Sequence, residues 1–492
     1  MMGPGKIVDQ LLAIGTVRRQ ALLSIGANIG ITAVGYLSTI YVAHTAGAET
    51  LGAYFLFLAY YGLAVLCVDG GMGGAAVKKI SEGREEDAFF SAQIAARAVF
   101  LVAGVVVLLL LTPYMMDLNR EGLFPWLVIA LTCGTLGGII SAGVYGGGSV
   151  GALQVSDFSN TLTRVIVQVL AIYAGFAAAG LAGGFVAGIL VSAIINLHFL
   201  RFRLVRFNWR HLAAMVPYAW WGFLSGATGV VAGYADTVLV GFFLTSEDVG
   251  FYRAPLQLAV LAIFVATSLS TALFPRISGW SEEGNLTAAA GALSRAFTYS
   301  LLLAIPFVAG GLLLGERLLY FVYGSAFTVA APSFYLLLLV QVATLFFTLD
   351  GMALSALNRP RILFWTGAVS SLLLVAIEIV LIPRFGIEGA AAALLLAYIV
   401  RAGLTRAMRS RFLTIPVEWN AIRNIVVSTA GMSIFVLFFS RVVPLDHVLL
   451  VAGLVLAGAL FYLFVLLRID TGIRDEVKEI SLRLGIPWPG WM

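Results

Sequence analysis

The sequence predicts an all-α polytopic membrane protein of about fourteen transmembrane helices: two six-helix lobes in parallel repeat, plus two C-terminal helices. Three observations predict it. The 492 residues are 61% hydrophobic and only 11% charged, whereas soluble domains run about 45–50% apolar and about 25% charged. The apolar runs are long and continuous, which excludes a transmembrane barrel, whose strands alternate apolar and polar over about ten residues. The chain also repeats itself at a fixed shift.

A helix needs about 20 apolar residues to cross a bilayer. By that rule the spans lie near 21–44, 52–78, 87–112, 123–146, 151–178, 181–201, 217–244, 249–275, 286–314, 330–356, 361–382, 388–408, 420–441 and 447–467. Residues 1–20 set Lys6, Arg18 and Arg19 around Ile7, Leu11, Leu12 and Ile14, the pattern of an interfacial segment. No cleavable signal pattern is present. Residues 21–210 then form the N-lobe with spans one to six, and 211–412 the C-lobe with spans seven to twelve. Residues 413–468 hold spans thirteen and fourteen, and 469–492 a cytoplasmic tail. In that tail Ile473, Val477, Ile480 and Leu484 fall at helical spacing, predicting a short helix on the inner membrane surface.

The net charge of +5 is concentrated in every second loop. One set holds Lys78, Lys79 and Arg84, then Arg201, Arg203, Arg206 and Arg210, then Arg276, Arg359, Arg361, Arg406, Arg409 and Arg411. The alternate loops hold mainly Arg120, Arg317, Arg384 and Arg441. The positive-inside rule places both termini in the cytoplasm, in a cytoplasmic (inner or plasma) membrane. The basic excess therefore reports topology. No basic patch with interleaved aromatics points to nucleic acid.

The repeat appears at a shift of 198 residues, without a gap from 33 to 97. Gly35-Tyr36 meets Gly233-Tyr234, Thr39 meets Thr237, Val42 meets Val240, and Glu49 meets Glu247. Gly52 meets Gly250, Tyr54 meets Tyr252, Lys78 meets Arg276, and Arg97 meets Arg295. Under a slightly larger shift, Gly180-Leu181-Ala182-Gly183 meets Gly386-Ile387-Glu388-Gly389. Six spans per repeat keep both halves in one orientation, the parallel repeat of a transporter.

Four arginines sit deep in apolar spans: Arg97, Arg164, Arg295 and Arg401. Each costs about 2.5–3.5 kcal/mol near the bilayer centre on insertion scales. They must face protein or water, and the simplest use for several buried cations is to hold an anion. Arg97 and Arg295 occupy equivalent places, roughly 15 Å into the third span of each half at about 1.5 Å per residue. Like charges facing each other need an anion between them; alternatively each staples helices through a carboxylate. Arg164 follows Asp157 by two turns on one face of span five, and Arg401 sits near the middle of span twelve. For both, cavity lining and stapling remain open. Asp236, Asp69, Asp350 and Glu378 are membrane carboxylates that either neutralise arginines or, like Asp157, take part in ion coupling through H+ or Na+. Asn28 and Asn196 suit interhelical hydrogen bonds.

Asp69-Gly70-Gly71-Met72-Gly73-Gly74 interrupts span two, and Gly70 and Gly71 serve there as a hinge or as a site of tight helix crossing. The run lacks the strand and the Gly-Lys-Ser/Thr of a nucleotide loop. There is no Walker motif or catalytic triad, and two cysteines and four histidines offer no metal site or disulfide framework. Cys67 and Cys133 read as packing residues. No enzyme and no cofactor is expected, apart from Na+ or H+ coupling.

These motifs resemble the polysaccharide flippase (Wzx-like, polysaccharide transporter) branch of the multidrug/oligosaccharidyl-lipid/polysaccharide exporter superfamily. The resembling stretches are Ala48-Glu49-Thr50-Leu51-Gly52-Ala53-Tyr54, Val68-Asp69-Gly70-Gly71-Met72 before Lys78, and Asp236-Thr237-Val238-Leu239-Val240-Gly241 with Val249-Gly250-Phe251-Tyr252. Leu273-Phe274-Pro275-Arg276-Ile277-Ser278, Tyr323-Gly324 with Phe327, and Ile382-Pro383-Arg384-Phe385-Gly386-Ile387-Glu388-Gly389-Ala390-Ala391 complete them. Span two departs from the usual acidic-aspartate-leucine-glycine pattern at Asp69-Gly70-Gly71. The resemblance implies a V-shaped pair of six-helix lobes, a cavity opening alternately to each side, and a cargo of lipid-linked oligosaccharide on polyprenyl phosphate or diphosphate. Arginine suits a phosphate head by its fork of donors. The expected partners are this polyprenyl-linked glycan and membrane lipids, and the expected state is monomeric. A cation-coupled multidrug exporter of the same fold is the rival reading, and arginines lining its cavity suit cationic drugs poorly. A membrane glycosyltransferase would need a large extramembrane loop or an acidic metal motif.

Overall fold

A computed structural model describes residues 16–483, with side chains from Gly30 apart from a few positions. The interfacial segment expected at 1–20 lies mostly outside the described residues, as do the Asn28 side chain and Leu484. The described chain is helical, with no strand. Unit 1, Met1–Gly250, contains α1 (Thr16–Asp69), α2 (Met72–Ser81), α3 (Glu86–Leu111), α4 (Met116–Arg120), α5 (Phe124–Gly146), α6 (Val150–Tyr173), α7 (Ala178–Phe199) and α8 (Trp209–Phe243). α9 (Ser246–Val260) crosses into unit 2, Phe251–Met492. Unit 2 continues with α10 (Phe264–Glu282), α11 (Leu286–Tyr323), α12 (Ala331–Ala356), α13 (Pro360–Arg409), α14 (Trp419–Val442), α15 (Val448–Ile469) and α16 (Thr471–Arg483). The seventh span, α8, thus belongs to unit 1.

Eleven helical segments among the described residues are long and apolar enough to cross a membrane. Fourteen spans are reached only by dividing two of them at a glycine and adding α6. α1 breaks at Gly47 (φ 80°, ψ 179°) and α13 at Gly386 (φ 58°, ψ −139°). Positive φ is costly for residues with a Cβ, so glycine sets where one span turns into the next. α6 falls short on hydropathy because Asp157, Asn160, Arg164 and Gln168 lie along it.

The exposed surface supplies the second signature of a membrane solvent. α3 presents Val99, Val102, Val106 and Leu110 to the outside at 65%, 66%, 48% and 70% exposure. α15 presents Leu449, Leu456 and Leu460 in the same way. Such continuous apolar faces are tolerated only where lipid replaces water. Inside unit 1, the second half of α1 is the packing centre, with Leu51, Leu56 and Phe57 at most 2% exposed. Inside unit 2, Tyr252, Tyr323, Phe327 and Phe334 fill the same role. The helix expected in the tail is present as α16, with Ile473 packed into the unit 2 core and Val477 exposed.

The repeat leaves a local signature. A Cβ on Gly52 would overlap the Ser246 carbonyl oxygen, and one on Gly250 would overlap that of Ala48. Gly52 and Gly250 are equivalent under the 198-residue shift, and so are Ala48 and Ser246. The two segments therefore pack against each other reciprocally at their glycines.

Candidate functional site

In unit 1 the α1–α2 break sets the first polar cluster. Gly70 and Gly71 take φ of 54° and 75°, ending α1 and redirecting α2. A side chain on Gly71 would strike the Ala219 carbonyl oxygen, so α8 lies directly against the break. Asp69, the last residue of α1, accepts an ion pair from Arg97 of α3: Nη2 to Oδ1 is 2.9 Å. Arg97 is 4% exposed. A Cβ on Gly138 of α5 would come within 2.8 Å of its Nη2, so glycine there makes room for the guanidinium. One turn before Arg97, the fully buried Gln93 has no hydrogen-bond partner for either side-chain polar atom among the described residues.

The second cluster runs along α6. Asp157, Asn160, Arg164 and Gln168 share a face at three- and four-residue spacing. Gln168 Nε2 donates to Tyr54 Oη at 2.9 Å and to the Leu181 carbonyl at 2.9 Å, locking α6 to α1 and α7. Asp157 is exposed and Arg164 half-buried. α7 approaches through glycines: a Cβ on Gly188 would lie 3.2 Å from Arg164 Cβ. Asp236 of α8 is buried at 2% exposure, and its Oδ1 accepts from the Thr237 backbone N–H at 2.6 Å and hydroxyl at 3.0 Å. Asn196 donates to Ser141 Oγ at 3.1 Å, the interhelical bond expected of it.

In unit 2, Asp350 of α12 pairs with Arg409 at the end of α13, with Nε to Oδ1 at 2.8 Å. Asp350 is fully buried and Arg409 4% exposed. Arg409 Nη1 also donates to the Leu413 carbonyl at 2.9 Å. Arg409, expected among the loop cations, instead lies in the last turn of α13, where packing against α12 buries it beside Asp350. Arg401 stacks over the Phe347 ring, 4.3 Å from its centroid. Glu378 is fully buried in α13. Arg295 is exposed on α11 and forms the wall of a polar cavity of about 790 Å³ with Tyr299, Glu418, Arg423 and Asp470. An apolar cavity of about 330 Å³ lies along the same unit, lined by Leu302, Pro306, Met432 and Tyr462. Outside the spans, a hydrogen bond from Lys79 holds the Glu82 carboxyl below its usual range.

The intramembrane cations therefore divide. Arg97 and Arg409 each hold a carboxylate. Among the described residues, Arg164, Arg295 and Arg401 have none within ion-pair distance. Cys67 is exposed rather than packed, and both cysteines are free. Among the described residues, no group of three or more histidine, cysteine or acidic side chains is placed to hold a metal.

Helices of this length with apolar outer faces define a multi-pass membrane protein. A sequence profile described as polysaccharide biosynthesis protein matches residues 17–280, more than half of the chain, and the chain belongs to that family. It is 28% identical to the probable flippase AglR of Haloferax volcanii over 94% of this chain and 98% of that protein. It is 24% identical to the probable low-salt glycan biosynthesis flippase Agl15 of the same organism, over 93% and 97%. A putative O-antigen transporter of Shigella flexneri is 22% identical over 79% and 95%. Among solved structures, the lipid II flippase MurJ in an inward closed conformation superposes with a TM-score of 0.77 at 17% identity, covering 93% of this chain and all of that one. An inward-facing multidrug resistance MATE transporter gives 0.62 at 13% identity, covering 77% and 95%. Both structural likenesses concern the fold.

Proposed function

We propose that this protein is a flippase that moves a lipid-linked oligosaccharide, carried on a polyprenyl phosphate or diphosphate, across the cytoplasmic membrane by alternating access. It serves surface polysaccharide or glycan assembly, works as a monomer and keeps both termini in the cytoplasm. The observation that carries the reading is the set of intramembrane guanidiniums without a carboxylate partner: Arg164, Arg295 and Arg401. An unpaired cation in an apolar span is costly unless an anion arrives to meet it, and a phosphate head offers the fork-matched acceptor. The near full-length likeness to two probable flippases, one of them of glycan biosynthesis, supports the cargo class.

Arg97 joins this set when Asp69 releases it; Gly70 and Gly71 then act as the hinge between α1 and α2. Asp236, Asp69, Asp157, Asp350 and Glu378 are the candidates for H+ or Na+ coupling. Of these, Asp69 and Asp350 each pair with an arginine, and Asp157 is exposed on α6. The test is transport of a prenyl-linked oligosaccharide in cells lacking their own flippase. Arg295→Ala and Arg97→Ala should abolish glycan export with normal membrane levels. Because Arg97→Ala strands the Asp69 carboxylate, Asp69→Asn/Arg97→Gln is the companion variant; export restored in it assigns Arg97 to stapling helices. Drug resistance that depends on Asp236 or Asp69 and ignores the arginines would favour the multidrug exporter, the reading that the MATE likeness in fold keeps in view.

A further inference from the structure

We infer that Gln93 of α3 is the second partner of Arg97. When Asp69 leaves the guanidinium, the Gln93 amide oxygen accepts from Arg97 Nε, and the cation stays in place with its charge intact. Gln93 is thereby a positioning residue. The inference rests on the flippase reading only for what the freed edge of Arg97 then meets; the exchange of partners rests on the packing within unit 1.

Gln93 is out of place as a core residue. It is fully buried, and neither its Oε1 nor its Nε2 has a hydrogen-bond partner among the described residues. Its neighbours along α3, Phe89, Phe90 and Ala92, belong with Met72 and Ala75 of α2 and Ile139 of α5 to one apolar core. An unbonded amide costs the desolvation of both its polar ends, and an apolar side chain of the same length would not. Its position on the helix offers it Arg97, four residues on and one turn along the same face. Long helical side chains lean back toward the N-terminus, so the Arg97 side chain leans over the turn that holds Gln93. Arg97 Nε is buried and also has no acceptor among the described residues. A buried donor and a buried acceptor, each unmet, thus stand one turn apart.

The ion pair that now holds Arg97 is unequal. The Arg97 side chain is 5% exposed and that of Asp69 27%. Asp69 is also the last residue of α1, directly before Gly70 and Gly71 at φ 54° and 75°. A rotation at those glycines carries the carboxylate toward the exposed side of the pair, where water replaces its partner. The guanidinium has no such escape. α5 closes on it at Gly138, where a Cβ would lie 2.8 Å from Nη2. A buried cation stripped of its partner is strongly destabilising, so Arg97 needs an acceptor within reach of its present position, and Gln93 Oε1 supplies one. A neutral acceptor suits the task. Arginine carries five N–H donors; a bond from Nε to an amide orients the group without cancelling its charge, and the Nη edge stays open to an anion. A carboxylate at 93 would neutralise the cation, and an apolar residue would leave it unheld.

The test is a double-mutant comparison on full-length protein in detergent, read by the thermal unfolding midpoint. In the wild-type background Gln93→Met should leave the midpoint unchanged or raise it, since an apolar side chain of equal length replaces an unbonded amide. In Asp69→Leu, which removes the present partner, the same substitution should lower it, since Arg97 then depends on Gln93. An equal effect in both backgrounds, or a lower midpoint in the wild-type background, overturns the inference. Transport in vesicles gives the second arm. Gln93→Met should slow translocation of a prenyl diphosphate-linked oligosaccharide by about tenfold, the worth of one hydrogen bond to a charged group, and Gln93→Glu should slow it as well. An unchanged rate in Gln93→Met overturns the inference. Should Asp69→Leu fail to fold, the midpoint in the wild-type background and that rate decide. Should wild-type protein move no such lipid, the flippase reading falls, and the difference between the two backgrounds decides this inference by itself.

Discussion

Asp350 and Arg409 are both shielded from solvent, so removing either leaves a charge with nothing to solvate it. Breaking such a pair typically costs about 3–5 kcal/mol, whereas replacing both members with apolar residues is often neutral. Arg409→Met and Asp350→Leu should each lower the thermal unfolding midpoint in detergent, and the double variant should recover most of the loss. Single variants as stable as wild type would show that the pair is inert. Gly138→Ala makes a different residue-scale case. The added methyl competes with the Arg97 guanidinium for space, so it should reduce export as the Arg97 substitutions do while leaving the Asp350–Arg409 pair untouched. The arginines in the middle of apolar runs were legible in the sequence, because a cation there contradicts its surroundings. Arg409 was not: it lies near the end of a helix among other cations, where only the packing of α12 against α13 separates a buried partner from a loop charge.

At the scale of elements, glycines decide where the chain turns, and for two different reasons. Gly71 has a positive φ and also touches the α8 backbone; Gly386 has a positive φ with nothing within 4 Å of its absent Cβ. Gly386→Ala should therefore cost only the backbone strain of that positive-φ conformation, roughly 1–3 kcal/mol. Gly71→Ala adds a collision with the Ala219 carbonyl oxygen and should abolish accumulation in the membrane or transport. Comparing the folded yield of the two variants by fluorescence-detected gel filtration checks the ranking; equal yields would refute it. The spans themselves could be read from apolar length, and the break in span two from its glycine density. The joins at 47 and 386 could not, since each pair of spans meets with no loop residues and the turn is made by one glycine conformation. The polar stripe on α6 was half visible: Asp157 and Arg164 stood out, but the Gln168 bond to Tyr54 depends on α1 lying alongside.

For the whole molecule, the asymmetric distribution of basic residues predicts that a cysteine placed at Lys478 in α16 is labelled by an impermeant thiol reagent only from the cytoplasmic side, in a background with Cys67 and Cys133 replaced. Labelling from outside would reverse the topology and, with it, the leaflet that Arg295 and Arg423 face. The family assignment and the helical architecture are independent of that result; the direction of transport is not. The central claim is that guanidiniums without protein counter-charges move a phosphorylated lipid through the membrane. Its most direct measurement is translocation of a fluorescent prenyl diphosphate-linked oligosaccharide in vesicles holding purified protein, read by protection from an external glycosidase. Wild type should equilibrate the glycan between leaflets, and Arg164→Gln, Arg295→Gln and Arg401→Gln should each slow it at least tenfold with the protein still folded. Equal rates in wild type and in all three variants would contradict the claim.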